Sequence, residues 1–194
     1  LPAFRAEAAD KLAAEFGDAD LIVLKDPRIC RLFGFWRGVL EDSGYRVVVV
    51  SPVRPPAEVA ASLMTRNAMS RSHALRLWLR HVSDAERASR NLPRRVLGWS
   101  DFIADWRGQI DRMSRDLGVA FDRSPAAEAR LDDFLSAELK RQNADERVPD
   151  QVRRAHQLLL LTARDGDHPD LQRALDDIRQ AFDQACDLFQ DAPC

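Results

Sequence analysis

The sequence predicts a single α/β domain whose core is a parallel sheet flanked by helices. Short, unbroken apolar runs recur along its first part, and stretches with helical spacing of apolar residues separate them. Unbroken runs are typical of strands covered on both faces, and strands alternating with helices favour a parallel sheet. The 194 residues suit one domain. We divide it into an α/β core over 1–118 and an all-helical C-terminal extension over 119–194.

Three apolar runs are the predicted strands. The first is Leu-Ile-Val-Leu at 21–24, the second is four valines at 47–50, and the third lies within 95–99. In open α/β sheets, ligands bind beyond the carboxyl ends of the strands. We therefore expect the functional residues directly after each of these runs.

Apolar residues at helical spacing predict the helices between and after the strands. Glycine follows several of them at a position where a helix commonly ends, as Gly17 and Gly118 do. Ser124 and Pro125 form a typical helix start. The predicted helices cover 4–16, 32–40, 56–69, 70–90, 102–117, 125–139, 148–163 and 170–190, with a polar connector at 141–147.

Composition excludes several classes of protein. Lys and Arg number 29 against 31 Asp and Glu, which is not the positive excess of a polybasic nucleic-acid binder. No apolar run reaches the roughly 18–20 residues of a membrane helix. Cys30, Cys186 and Cys194 lack metal-ligand spacing, and their odd number argues against a disulfide scaffold. We expect a cytoplasmic protein without a metal. The excess of Arg over Lys is typical of a GC-rich bacterial genome.

The end of the second strand is the most informative of the three. Arg54 follows the strand and precedes a helix that starts at Pro56, where free N–H groups and the helix dipole favour anions. Ser62 lies eight residues after Arg54, about two helical turns further on. A cation and a hydroxyl around one pocket outline a phosphate site. The alternative is an ordinary ion pair of Arg54 with Glu58 or Asp101, with Ser62 packed against the sheet.

The first strand ends in Lys25, Asp26, Pro27 and Arg28. Charges at the mouth of a buried strand are either paired or functional. Asp26 can accept a proton from a substrate hydroxyl, and Lys25 or Arg28 can offset developing negative charge. In the alternative interpretation Asp26 caps a helix, Pro27 is its first residue and Lys25 belongs to an ion pair.

The third strand ends at Trp99, whose flat ring offers a surface for stacking a purine if it faces the crevice. As an alternative, Trp99 is a core residue beneath the sheet edge. Ser100 or Asp101 is predicted to cap the following helix.

The other histidines and tryptophans give weaker signals. His73 and His81 are two helical turns apart, too far for one metal, and His156 and His168 have no partner motif. We assign the remaining tryptophans to the core because they lie on apolar helical stripes: Trp36, Trp78 and Trp106.

Together these strand ends resemble the PAPS-dependent sulfotransferases, and most closely their bacterial sulfotransferase-like group. The donor of these enzymes, PAPS, is 3′-phosphoadenosine 5′-phosphosulfate. One segment resembles the motif that binds the donor's 3′-phosphate. It consists of Arg54-Pro55 and, after a short spacer, Glu-Val-Ala-Ala-Ser at 58–62. The segment 98–102 resembles a later motif whose aromatic residue, here Trp99, lies by the adenine. The resemblance implies a three-layer, P-loop-type parallel sheet flanked by helices.

The resemblance also implies an activity, the transfer of a sulfuryl group from PAPS to a hydroxyl of a carbohydrate or related acceptor. Arg54, Ser62 and Trp99 would then bind the donor, while Asp26 and Lys25 would be catalytic. No metal is expected. The family's loop for the 5′-phosphosulfate has no counterpart here, and we expect it upstream of Leu1.

If that loop is truly missing, a second hypothesis applies. The chain is then a catalytically inactive, sulfotransferase-like interaction module associated with a glycosyltransferase. A nucleotide kinase is the weakest of the alternatives, since the sequence lacks both a phosphate loop and a Mg²⁺-binding motif. A homo-oligomer is compatible with each hypothesis, and no residue identifies the acceptor.

Overall fold

The computed structural model describes residues 2–139 and 147–188. These residues form α-helices around a parallel sheet, with a short 3₁₀ helix at Ile29–Leu32. In chain order the elements are α1 (Pro2–Phe16), α2 (Phe33–Asp42), β1 (Val49–Val53), α3 (Pro56–Asn67), α4 (Arg71–Ser89), β2 (Arg94–Gly98), α5 (Trp99–Ala104), α6 (Trp106–Leu117), α7 (Pro125–Leu139), α8 (Asp150–Asp165) and α9 (Pro169–Leu188). No helix in these two ranges combines the length and the apolar character needed to cross a bilayer.

The predicted three-layer, P-loop-type sheet is wrong. Over the described residues the chain is mostly helical, and its sheet contains two strands. β1 and β2 run parallel, in a register that pairs Val49 with Arg94 and Val53 with Gly98. The third apolar run forms β2 as expected, while β1 starts two residues later than predicted and continues to Val53.

The first apolar run accounts for the difference. Residues 21–24 have no strand partner in the described chain, and the side chains of Leu21 and Val23 are 49% and 74% exposed. A cavity of about 480 Å³ is lined by Leu21, Ile22 and Leu24 from this segment and by 47–50 from the other side. The apolar run therefore reflects partial burial of one face of an extended segment, which periodicity alone does not distinguish from a strand.

The sheet is covered on both faces along β2, whereas Val50 and Pro52 of β1 are exposed, contrary to what the unbroken valines predict. On one face Val53 and Val96 join a core cluster with side chains of α3, α4, α8 and α9. On the other face Leu97 packs against Met113 and Leu117 of α6. The crossover from β1 to β2 runs through α3 and α4, so the carboxyl ends of both strands lie at the same edge of the sheet.

The predicted helix over 102–117 is divided into two. The division falls at Asp105, whose carboxylate accepts a hydrogen bond of 3.0 Å from the backbone N–H of Gly108 and so caps α6. Ser100 and Asp101, the predicted caps, lie inside α5. The predicted connector at 141–147 falls outside the described residues except for Arg147, and so does the end of the last predicted helix.

A buried charge network ties the helical extension to the sheet. Glu86 of α4 and Arg94 of β2 are each only 3% exposed and form an ion pair of 3.0 Å. Arg94 also pairs with Asp167 in the loop between α8 and α9. Arg90 donates to Glu86 at 2.7 Å and to Asp176 of α9 at 2.7 Å. We call these five residues the Glu86 network.

Candidate functional site

The carboxyl ends of β1 and β2 bring two of the predicted site residues together. The strand register ends with Val53 opposite Gly98. Arg54 and Trp99 therefore directly follow the last paired residues of β1 and β2. The guanidinium carbon of Arg54 lies 5.5 Å from the centroid of the Trp99 ring. This cation–π distance joins residues 45 positions apart in the sequence. We call the surroundings of this pair the strand-end site.

Arg54 keeps part of its hydrogen-bonding capacity unused. Its Nη2 donates to Glu58 of α3 at a long distance of 3.4 Å, which is one of the alternatives that the sequence left open. The Arg54 Nε is buried and has no hydrogen-bond partner. An N–H without an acceptor costs free energy on burial. The Nε atoms of Arg76, Arg95 and Arg179 are buried without partners as well, so this feature alone does not mark a ligand site.

Trp99 is held by its neighbours and has the same unused capacity. Its ring stacks on Phe102 with a centroid separation of 5.8 Å and an interplanar angle of 20°. The Trp99 Nε1 is buried without a partner. Arg54 and Trp99 therefore each contribute an N–H without an acceptor at the same edge of the sheet.

Ser62 is positioned along α3 rather than at the strand ends. It lies one turn after Glu58 on the same face of the helix and is exposed. The helix itself starts beside Arg54, and Pro55 supplies no side-chain cap to its first turn. The free N–H groups there favour an anion, whereas the Glu58 carboxylate in the same turn opposes one.

Lys25 and Asp26 form a separate group. The Asp26 carboxylate accepts hydrogen bonds from the backbone N–H of Arg28 at 2.7 Å and from its Nε and Nη2 at 3.0 and 2.8 Å. These hydrogen bonds hold the pKa of Asp26 well below its usual range. Asp26 and Arg28 line a small pocket of about 220 Å³ together with the exposed Lys25. Within the described residues, no hydrogen bond or ion pair joins this group to Arg54, Ser62 or Trp99.

The sequence analysis missed Trp78 as a residue of the site. Trp78 is buried in α4, as its apolar stripe predicts, but its Nε1 donates a hydrogen bond of 3.2 Å to the backbone carbonyl of Arg54. This bond fixes the backbone at the exit of β1. A buried indole N–H needs an acceptor, but the sequence gives no sign of which one it finds.

His156 of α8 is the neighbour of Trp78 on the side of the helical extension. Its ring packs edge-to-face against Trp78 with a centroid separation of 6.0 Å, and its Nε2 is buried without a partner. Burial lowers its pKa below the ordinary value of 6.5. Sequence reasoning set His156 aside because it has no partner motif, and no local signal marks it.

The orientation of α8 places His156 toward the carboxyl end of β2. Ala163 accepts a hydrogen bond from Arg95 near the start of β2, and Leu160 lies against Gly98 at its end. The helix therefore runs antiparallel to β2. His156, one turn before Leu160, lies about 6 Å further along this direction, beyond the carboxyl end of the strand.

The described residues contain no group of three or more His, Cys, Asp or Glu side chains placed to hold a metal ion. No family model, curated protein or solved structure matches the chain.

Proposed function

We propose that the chain binds a 3′-phosphoadenosine nucleotide at the strand-end site and acts as a PAPS-dependent sulfotransferase. The observation that carries this proposal is the pairing of Arg54 and Trp99 beyond two adjacent parallel strands. Both side chains have buried N–H groups without acceptors. The resemblance of the Arg54–Ser62 motif to a 3′-phosphate site supplies the identity of the ligand.

A phosphate supplies what the site lacks. Its oxygens accept hydrogen bonds, and the N–H groups of Arg54 and Trp99 are donors without acceptors. The start of α3 adds a favourable dipole beside the same residue. Glu58 is the opposing group, because a bound phosphate has to compete with its carboxylate for Arg54. Ser62, one turn further along α3, is the candidate hydroxyl for a phosphate oxygen.

The proposed reaction moves a sulfuryl group in line between two oxygens. The acceptor hydroxyl oxygen forms a bond to sulfur while the bond from sulfur to the 5′-phosphate oxygen breaks. The hydroxyl proton passes to a base, and adenosine 3′,5′-bisphosphate leaves. The protein contributes mainly by positioning both partners and offsetting charge, as in phosphoryl transfer.

The catalytic roles of Lys25 and Asp26 remain part of the proposal. Lys25 is exposed at the rim of the small pocket, where it is available to offset negative charge on the moving group. Asp26 takes the hydroxyl proton only after its carboxylate leaves Arg28, because that contact makes it a weak base. The proposed acceptor is a carbohydrate hydroxyl, and a glycosyltransferase is the proposed partner.

Thermal unfolding with adenosine 3′,5′-bisphosphate tests the binding step. A ligand that binds only the folded state adds about 2.7 kcal/mol at 100 times its Kd and raises the Tm by several degrees. Arg54→Ala should weaken binding about tenfold or more, since a charge-assisted hydrogen bond contributes about 1.5–3 kcal/mol.

Arg37→Ala is the matched control. Arg37 forms an ion pair with Glu41 at the same i, i+4 spacing as Arg54 with Glu58, but lies on α2. The Arg37→Ala variant should show the same ligand-induced shift in Tm as the unaltered protein. No shift for the unaltered protein at millimolar nucleotide would refute the proposal.

A second candidate function is the non-catalytic interaction module. It is favoured by exposed apolar side chains: Leu21 and Val50 line one cavity beside β1, and Val23 is exposed in the same segment as Leu21. The same unfolding experiment separates the two functions, because the module requires no nucleotide and predicts no shift.

A further inference from the structure

The cavity of about 480 Å³ beside the first part of β1 is separate from the strand-end site. Four parts of the chain line it: the extended segment 20–24, the helix α2, residues 45–50 and residues 118–120 after α6. Most of the lining side chains are apolar, among them Leu21, Ile22, Leu24, Phe33, Trp36 and Leu40. Neither Arg54 nor Trp99 lines this cavity, which we call the β1 cavity.

We infer that the β1 cavity binds a small amphiphile, a molecule with an apolar body and one anionic head group. The apolar body lies between segment 20–24 and residues 47–50, and Arg46 holds the head group. Small-molecule sites have volumes of about 300–1,000 Å³, mainly apolar walls and a few polar groups, and the β1 cavity has all three features. The inference goes beyond the proposed function and does not depend on it.

Two of the apolar side chains that line the β1 cavity are exposed. Leu21 is 49% exposed and Val50 is 39% exposed. Exposed apolar side chains grouped around a concave surface are typical of ligand-binding grooves. An apolar body that covers them is favoured because it removes apolar surface from water. Val23 lies in the same segment and is 74% exposed, but it does not line the cavity.

Arg46 determines the charge of the head group. Its Nη2 donates to the backbone carbonyls of Leu117 at 2.9 Å and Gly118 at 3.0 Å, which fixes the guanidinium beside the 118–120 part of the lining. Among the described residues Arg46 forms no ion pair with a carboxylate, and its Nε and Nη1 donate no hydrogen bond. An exposed arginine of this kind is ordinarily hydrated. Beside an apolar cavity, it is a positioned donor for an anion.

Two other charged side chains line the β1 cavity. Arg37 is held by Glu41 in an ion pair of 2.8 Å, so it is less available than Arg46. Asp20 opposes an anion and is suited to a cationic head group. We favour Arg46 as the ligand-binding group because two hydrogen bonds hold its guanidinium in place, and a preorganised group loses less entropy on binding.

Titrations of the isotope-labelled protein with octanoate, hexanoate, octanol and octylammonium test the inference. The indole N–H signals of the four tryptophans report binding, since Trp36 lines the cavity and Trp36→Phe identifies its signal. Octanoate should shift the Trp36 signal and bind roughly tenfold more tightly than hexanoate, because it buries two more methylenes. Octanol and octylammonium should bind about fivefold to tenfold more weakly than octanoate, because neither is an anion.

The first pair of variants tests the head group. Arg46→Gln should weaken octanoate binding about fivefold to tenfold and leave octanol binding unchanged. Arg66→Gln is the matched control, since Arg66 is also exposed and forms no ion pair within the described chain, but lies on α3 outside the cavity. It should bind octanoate as the unaltered protein does.

The second pair of variants tests the position of the apolar body. Leu21→Asn should weaken the binding of octanoate and octanol several-fold, whereas Val23→Asn should weaken neither, because Val23 does not line the cavity. Circular dichroism checks that each variant is folded.

Three results would overturn the inference. The first is an unchanged Trp36 signal at millimolar octanoate, which would leave the exposed Leu21 and Val50 to the interaction module. The second is binding of octanol or octylammonium as tight as that of octanoate, which removes the role of Arg46. The third is an equal effect of Leu21→Asn and Val23→Asn. None of these results depends on whether the protein binds adenosine 3′,5′-bisphosphate, so they leave the proposed function untouched.

Discussion

Removing the Glu86 carboxylate should destabilise the fold far more than removing a surface carboxylate. Glu86 is 3% exposed and accepts hydrogen bonds from Arg90 at 2.7 and 3.0 Å and from Arg94 at 3.0 Å. Glu86→Ala leaves two guanidinium groups without this partner. Breaking a buried ion pair by removing one partner costs about 3–5 kcal/mol. Since Arg90 keeps Asp176 and Arg94 keeps Asp167, we expect the lower end, about 3 kcal/mol.

Urea unfolding followed by circular dichroism measures this loss. The midpoint should fall while the m-value stays constant, because the same surface is exposed on unfolding. Glu41→Ala is the matched control, since Glu41 is also helical and pairs with Arg37 at 2.8 Å, but the two side chains are 45% and 39% exposed. We expect it to cost about 0.3–0.5 kcal/mol.

Two outcomes would refute the reasoning on the Glu86 network. One is a loss below about 1 kcal/mol in Glu86→Ala, within the range of surface ion pairs. The other is a loss that 1 M NaCl abolishes, because salt screens exposed pairs much more than buried ones. Glu86→Gln, which keeps an acceptor but loses the charge, should fall between the alanine variant and the unaltered protein.

Two further predictions concern the strand-end site. Glu58→Gln removes the carboxylate that competes for Arg54 at 3.4 Å. It should tighten binding of adenosine 3′,5′-bisphosphate several-fold in calorimetry, and weaker binding would contradict the proposed position of the phosphate. His156 should make stability depend on pH, since burial lowers its pKa below 6.5 in the folded state. The unfolded state then binds more protons below pH 6.5, so this contribution to stability is intact above that pH and is lost progressively below it. Urea unfolding at pH 7.5 and 5.5 should show a smaller loss on acidification in His156→Phe, and an equal loss would disprove the assignment.

Sequence reasoning located the strand ends better than the sheet. The valine-rich run and the run at 95–99 both belong to strands, and β2 is covered on two faces, while Val50 of β1 is 39% exposed. The run at 21–24 has a similar composition but two exposed side chains and no strand partner in the described chain. A four-residue run does not reveal how many of its faces are covered. For this reason the number of strands was predicted incorrectly.

The candidate site residues that follow an observed strand come together, and those that follow the incorrectly predicted strand do not join them. Arg54 and Trp99 were predicted because each directly follows a strand, and parallel strands end at one edge. Ser62 was predicted from spacing along one helix, which fixes its face but leaves its contacts open. Lys25 and Asp26 followed a predicted strand that is not part of the sheet, and they lie in a pocket of their own. Their roles remain predictions.

The sequence by itself determined most of the helical segments and the approximate places of two strands, with the residues that follow them, but not the number of strands or the division of the helix at Asp105. These features depend on local periodicity and on the parallel direction of the strands. Only the tertiary structure decided that Trp78 donates to the carbonyl of Arg54 and packs against His156, and that the Glu86 carboxylate is buried with two arginines. The physical reason is that these contacts depend on how α4 and α8 pack against the sheet. The Trp78 indole meets a carbonyl 24 positions away and a histidine ring 78 positions away, and no local pattern encodes these contacts.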